Sequence, residues 1–312
     1  MRAIIVLALG FMTLAEPGAR AQEIVILTGG TSGVYYPVGL ALKKIIESRA
    51  PNQTVKVLST QATVENLNLL QQGKGTLALA QGDILNDAWK GNPEAGFPSS
   101  RTKIRLLSAA YPNYVHIVAR KDAGIAKLRD LRGKRVSVGA ARSGNELNAR
   151  ALLSSAGMSY ADLLQVEYLE YGASVDLMAK NQLDAAIISA GLGVTAVKRA
   201  ASEMPIVLIP VDVETIEKNK GMFFATTIPA GSYSGQDTEV SAAALNNYFV
   251  TSSDVPDDTV HRITKLMFEN LNELHKAHPA ISVLQRENAI VQRPISVHPG
   301  AMSYFRESGI LK

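Results

Sequence analysis

The chain is 312 residues long, 46% hydrophobic and 19% charged, a composition that can fill a large core and is too apolar for extended disorder. Lys and Arg outnumber Asp and Glu by only 32 to 28, and no block of like charge stands out, so charge gives no footprint for nucleic acid. With no cysteine, disulfides, thiol catalysis and thiolate metal sites are excluded together.

Arg2 precedes an apolar run over 3–14, followed by Pro17, Gly18 and the small-residue triplet Ala19-Arg20-Ala21. This is the layout of a secretory signal with cleavage after Ala21, which predicts a periplasmic location. The apolar run falls short of the roughly 20 residues that a membrane-spanning helix needs. From Gln22 onward, short runs rich in Val, Ile and Leu alternate with segments of helical period. The predicted strands are 23–28, 55–60, 77–81, 104–109, 115–120, 135–140, 166–171, 185–189 and 206–210. The predicted helices are 35–49, 64–72, 146–155, 174–181, 194–202 and 259–275, the first with Val38, Leu42, Ile45 and Ile46 on one face. Such alternation predicts an α/β architecture with largely parallel sheets. Extended segments at 111–114 and 223–229 are expected to carry the chain between two lobes.

Three strand-to-helix junctions share one chemistry: TGGTSGVYYPVG (28–39), STQATVEN (59–66) and VGAARSGNELN (138–148). Each sets Gly or a small hydroxyl or amide residue before a helix, where free N–H groups and the positive dipole end favour an anion. Ligands of open α/β sheets sit where such loops gather. Singly, the loops read as ordinary turns, with Thr63 capping one helix and Ser143 or Asn145 another. Together, beside Tyr35 and Tyr36, they read as a site for a carboxylate or phosphate.

Other motifs carry less. Gly191-x-Gly193-x-x-Ala196 with Asp212 fits a dinucleotide fingerprint but reads as a glycine turn in a βα unit. His275 and His278 lack a nearby third metal ligand and read as a solvated face. His116 reads as a satisfied strand histidine, Asp257 and Asp258 as first-turn helix acids. The chain has neither a Gly-x-Ser-x-Gly elbow nor a His-Glu-x-x-His pair.

The segment TGGTSGVYYPVG resembles the opening signature of the TAXI solute receptors, which serve tripartite ATP-independent periplasmic (TRAP) transporters. The resemblance continues in order through TVENLNLLQQGKGTLALAQGD (63–83), AAYPNYVHIVAR (109–120), DLRGKRVSVG (130–139), NQLDAAIISAG (181–191) and RPISVHPGAMSYFRESG (293–309). It implies a two-lobed periplasmic-binding-protein fold, type II-like, each lobe a mostly parallel sheet flanked by helices. Lobe I is expected at 22–112 plus 223–312, and lobe II at 113–222. The implied activity is capture of a small organic anion, a glutamate-like amino acid or a dicarboxylate, by hinge closure, with delivery to the membrane subunits of a TRAP permease. Neither catalysis nor a cofactor is implied, and a monomer is expected. The matching positions are Gly29, Gly30, Thr31, Tyr35 and Tyr36, then Thr63, Glu65 and Asn66, then Gln81 and Asp83, then Ser143 and Asn145, with Tyr111, Ser189 and Gly191 as further contacts.

The chain departs from the family pattern in three places. Gln61-Ala62 replaces a Gly-Gly pair, Arg142-Ser-Gly-Asn145 replaces Gly-Ser-Gly-Thr, and Leu192 replaces a proline. If Arg142 enters the cleft, it is expected to favour an extra carboxylate. The alternative to a receptor is a secreted enzyme on the same fold acting on a small carboxylate, with Glu65 and Asp83 or His116 as its acid–base candidates.

Overall fold

The computed structural model describes residues 23–219 and 221–311, so the signal segment read at 1–21 lies outside the described residues. In chain order the elements are β1 (Ile24–Leu27), α1 (Tyr35–Arg49), β2 (Val55–Leu58), α2 (Thr63–Gln71), β3 (Leu77–Gln81), α3 (Gly82–Lys90), β4 (Ile104–Arg120), β5 (Arg135–Ser137), α4 (Gly144–Ser155) and β6 (Gln165–Glu167). They continue with α5 (Tyr171–Ala179), β7 (Ala185–Ala190), α6 (Thr195–Glu203), β8 (Ile206–Leu208), α7 (Val213–Glu217), β9 (Phe224–Ile228), β10 (Val240–Ser252), α8 (Asp257–Glu269), α9 (Leu271–His275) and α10 (Pro299–Glu307). The fold is α/β with helices flanking the strands, as the alternating pattern predicts, but the sheet is mixed rather than largely parallel, because β4 and β10 run antiparallel to every strand they pair with.

On one side the strand order is β2-β1-β3-β10-β4, with β1 parallel to β2 and β3 and β10 antiparallel to its neighbours. On the other side it is β6-β5-β7-β4-β8, again parallel except around β4. The long strands β4 and β10 belong to both. The first half of β4 pairs with the second half of β10, whereas its second half, from Tyr114, pairs with β7. The passage at 111–114 is therefore a crossing. The return does not run through 223–229 as expected. Phe224–Ile228 is β9, which pairs with Val240–Ala244 of β10, and β10 itself makes the return. Phe223, Ala243 and Leu245 pack with Val115, Ile117 and Val136 in the second lobe's core. The second lobe thus extends past residue 222 to the middle of β10.

Pro112 accounts for the expectation of two strands where β4 is one. It cannot donate a ladder bond, and strands tolerate it at irregular positions. Pro112 lies opposite Asn246, next to a register shift between Asn246 and Tyr248. Helix α1 forms where its period predicts, and Val38, Leu42, Ile45 and Ile46 are all buried, each contributing about 1.5–3 kcal/mol. The helix expected over 259–275 breaks at Asn270, whose φ of −123° leaves the helical region.

Candidate ligand-binding cleft

Three helices begin at one cavity between the lobes. From the first lobe come Val34 and Tyr35 at the start of α1, and Ala62 and Thr63 at the start of α2. From the second come Ser143 and Gly144 at the start of α4. First-turn amides have no partner within their own helix, so the three starts converge unpaired N–H groups on one space. Ser143 caps α4 as predicted, its hydroxyl accepting from Glu146 N at 3.2 Å. Thr63 does not cap α2. It is the first residue of that helix, and its hydroxyl accepts from Gln81 N at 3.2 Å, tying α2 to the end of β3.

The lobes meet across the cavity. Ser32 Oγ accepts from Gly172 N at 3.1 Å, and Asp83 Oδ2 accepts from Asn148 Nδ2 at 2.7 Å. Gly144 comes so near Gln81 that a Cβ there would lie 1.9 Å from Oε1, so a side chain at 144 would displace the Gln81 amide from its place against α4. The space left is about 70 Å³, room for roughly five waters or a small ligand of similar bulk.

Four buried polar atoms on residues lining this space have no hydrogen-bond partner: Gln81 Oε1, Tyr111 OH, Asn113 Oδ1 and Ser189 Oγ. They come from β3, the crossing in β4, and the end of β7. Unpaired buried polar groups cost about 1–3 kcal/mol each, and a cluster of them on one cavity marks where a polar ligand would be held. Burial drives the Tyr35 and Tyr111 phenols well above their ordinary value, so both remain neutral donors. Tyr35 OH donates to Asn247 Oδ1 at 2.5 Å, whereas Tyr111 OH is free for a ligand.

Of the positions named from sequence, the structure gathers Gly29, Gly30, Tyr35, Thr63, Gln81, Tyr111, Ser143, Asn145 and Ser189 around the cavity. Asn145 lines it but is committed. Its Nδ2 donates to Val138 O at 2.8 Å and Ile187 O at 2.9 Å, and its Oδ1 accepts from Ser189 N. Asn66 does the same work in the first lobe, outside the lining. Its Nδ2 donates to Thr28 O and Leu79 O at 2.7 and 2.9 Å, and its Oδ1 accepts from Thr60 Oγ1.

Thr31, Tyr36, Glu65, Asp83, Arg142 and Gly191 also stand outside the lining. Glu65 accepts from Gln61 N at 2.7 Å near the exposed start of α2. Gly191 packs against Ala280 and the Tyr111 ring. Arg142 is exposed and borders a separate groove with Pro93, Glu94, Glu146 and Arg150, so the condition on which it would favour an extra carboxylate, entry into the cleft, is not met. Sequence reading passed over Asn113, Glu170 and Tyr171, which all line the cavity. The neighbouring X-Pro-Asn-Tyr crossing and the start of α5 were the available signals for them.

The remaining motifs have structural roles. His116 is buried, with Nδ1 3.2 Å from Ile188 O and Nε2 2.8 Å from Tyr233 OH, as a satisfied histidine should be. Asp212 caps α7 by accepting from Thr215 N at 2.7 Å. His278 is buried rather than solvated, and its Nδ1 accepts from Ala280 N at 3.1 Å. Among the described residues no helix is long and apolar enough to cross a membrane.

The architecture is shared with solved binding proteins. PhnD1 of Prochlorococcus marinus, solved in complex with methylphosphonate, is similar at 11% identity and a TM-score of 0.57, over 92% of this chain and 99% of that one. A binding protein component of an ABC phosphonate transporter from Pseudomonas aeruginosa is similar at 10% identity and a TM-score of 0.55, over 82% and 78% of the respective chains. At such identities the likeness is one of fold, that of the periplasmic binding proteins. A family model matches residues 26–309, nearly all of the described chain. The protein belongs to the NMT1-like family.

Proposed function

We propose that the protein is an extracytoplasmic solute receptor that closes its two lobes on a small organic anion, a glutamate-like amino acid or a dicarboxylate, and delivers it to a TRAP-type permease. The observation that carries this reading is the set of four unpartnered buried polar atoms, on Gln81, Tyr111, Asn113 and Ser189, at a cavity where three helices begin. Helix starts supply the positive field for a carboxylate, and the two lobes and the crossing strand each supply hydrogen-bonding groups. Closure excludes water from those bonds. The periplasmic location rests on the signal-like layout of residues 1–21, and the TRAP assignment on the ordered TAXI-like motifs.

The enzyme alternative gains nothing from the geometry. None of Glu65, Asp83 and His116 lines the cavity, and each is held at a separate place by a structural bond: Glu65 to Gln61 N, Asp83 to Asn148, and His116 to Ile188 and Tyr233.

The test is a thermal-shift and calorimetric screen of amino acids, dicarboxylates and 2-oxo acids against the wild type and Tyr111→Phe. A binding compound is expected to raise the melting temperature without being consumed. Tyr111→Phe is expected to weaken that compound about tenfold while leaving the unliganded protein no less stable, because the hydroxyl has no partner to lose. Turnover of any compound would replace the receptor reading with the enzyme one.

A further inference from the structure

Among the residues lining the cavity, one side chain carries a charge, and it is a carboxylate: Glu170. Glu170 precedes α5 in the N-cap position yet makes no side-chain bond to that helix, although carboxylates commonly cap in this way. It is instead turned toward the opposite lobe. A Cβ built on Gly30 would lie 2.5 Å from Glu170 Oε2, so the carboxylate sits at the cleft mouth in space that the bare backbone at residue 30 leaves open. Its charge also reaches the Tyr171 phenol, which burial and Glu170 together push upward. Among the described residues no cation pairs with it.

We infer that Glu170 is a specificity-determining residue that pairs with a protonated amine on the ligand, so that the preferred ligand is an α-amino acid zwitterion. This rests on the receptor reading above and chooses between its two ligand classes. A dicarboxylate would bring two negative charges to a cleft whose fixed charge is negative, a like-charge juxtaposition that disfavours binding. A zwitterion has its carboxylate matched by the helix starts and its ammonium by Glu170. Tyr35, Tyr111 and Tyr171 line the same cavity, and a ring face that meets the ammonium would attract it further.

The experiment compares α-amino acids with the 2-oxo acids that share their carbon skeletons, L-glutamate against 2-oxoglutarate and L-leucine against 4-methyl-2-oxopentanoate among them. Titration calorimetry is run on the wild type, Glu170→Gln and Glu170→Asp. For the skeleton that binds best, the amino acid is expected to bind the wild type at least tenfold more tightly than its 2-oxo partner. Glu170→Gln is expected to abolish that preference by weakening the amino acid alone, and Glu170→Asp to retain part of it. Circular dichroism on the same samples checks that the variants fold. Equal or tighter binding of the 2-oxo acid, or an amino-acid preference unchanged in Glu170→Gln, overturns the role of Glu170 and leaves the receptor reading standing. If no compound of any pair binds the wild type, both readings fall.

Discussion

At position 62, where the TAXI-like pattern has glycine, this chain has an alanine with φ 66° and ψ −140°. A residue with a Cβ is strained there, at a cost on the order of 1–3 kcal/mol, and the strain sits on the residue that leads α2 into the cavity. Ala62→Gly is expected to raise stability by about 1 kcal/mol, read as a higher urea midpoint with an unchanged slope. A lower midpoint would show that the Ala62 methyl, packed near Gly29, is worth more than the strain. The sequence marked position 62 as unusual but could not show its backbone angle. Arg142 illustrates the opposite limit. Its departure from the pattern was plain, but the direction of its side chain depends on a local φ of 59° that no spacing rule gives.

Elements were legible where one face is buried over several turns, as in α1, and where a buried strand is short and apolar, as in β3. Helices α3, α7 and α10 and strand β10 were missed, and two of them show the physical reason. Helix α3 starts directly at the end of β3 with no side-chain cap, so no punctuation separates strand from helix. β10 has Asn246 and Asn247 at its centre, a residue type that strands disfavour, yet Asn247 Nδ2 donates to Tyr111 O at 3.0 Å inside the sheet. Asn66 and Asn145, in two of the three predicted ligand loops, proved to be clasps. Asn145 ties β5 to β7 and Asn66 ties β1 to β3, each bonding the carbonyls one residue past the last paired residues of two parallel strands. Asn145→Ala should remove three buried bonds and strand the Val138 and Ile187 carbonyls, lowering stability by about 2–4 kcal/mol in chemical denaturation. A loss below about 0.5 kcal/mol would mean that the loop repacks without its clasp.

Across the whole molecule, two buried titratable groups act with opposite signs. Burial pushes the Asp83 carboxyl up to about 7 from an ordinary 3.8, against the lowering effect of its bonds to Asn148 and Ile84 N, while the charge of Asp87 adds to the rise. The folded protein therefore holds a proton that the unfolded chain releases. The cost of burying the charge is full above pH 7 and is relieved as pH falls toward 4. His116 behaves in reverse, because burial lowers it from 6.5 to about 4. Its neutral form contributes stability that is present above pH 6.5 and lost as pH falls through 4. In the wild type these slopes oppose one another. Asp83→Asn removes the first alone, so the variant should lose stability more steeply than the wild type between pH 6.5 and 4, measured as urea midpoints across that range. Parallel slopes would show that Asp83 is not protonated in the folded state. At this scale the sequence showed two lobes and a crossing near residue 112 but misplaced the return, because strand pattern alone does not say which sheet a strand joins.

The path of β10 has one more consequence, which concerns time rather than shape. Its second half lies between β3 and β4 at the centre of the first lobe's sheet, yet it is the last strand of that sheet to be synthesised. Until Ser252 has left the ribosome, Leu77–Gln81 and Ile104–Tyr111 each wait with a bare edge, and more than a hundred residues of the other lobe must pass before those edges can close. The lobe that begins the chain is thus the one that must finish last, and its waiting edges are the places where a nascent chain of this protein most needs shielding.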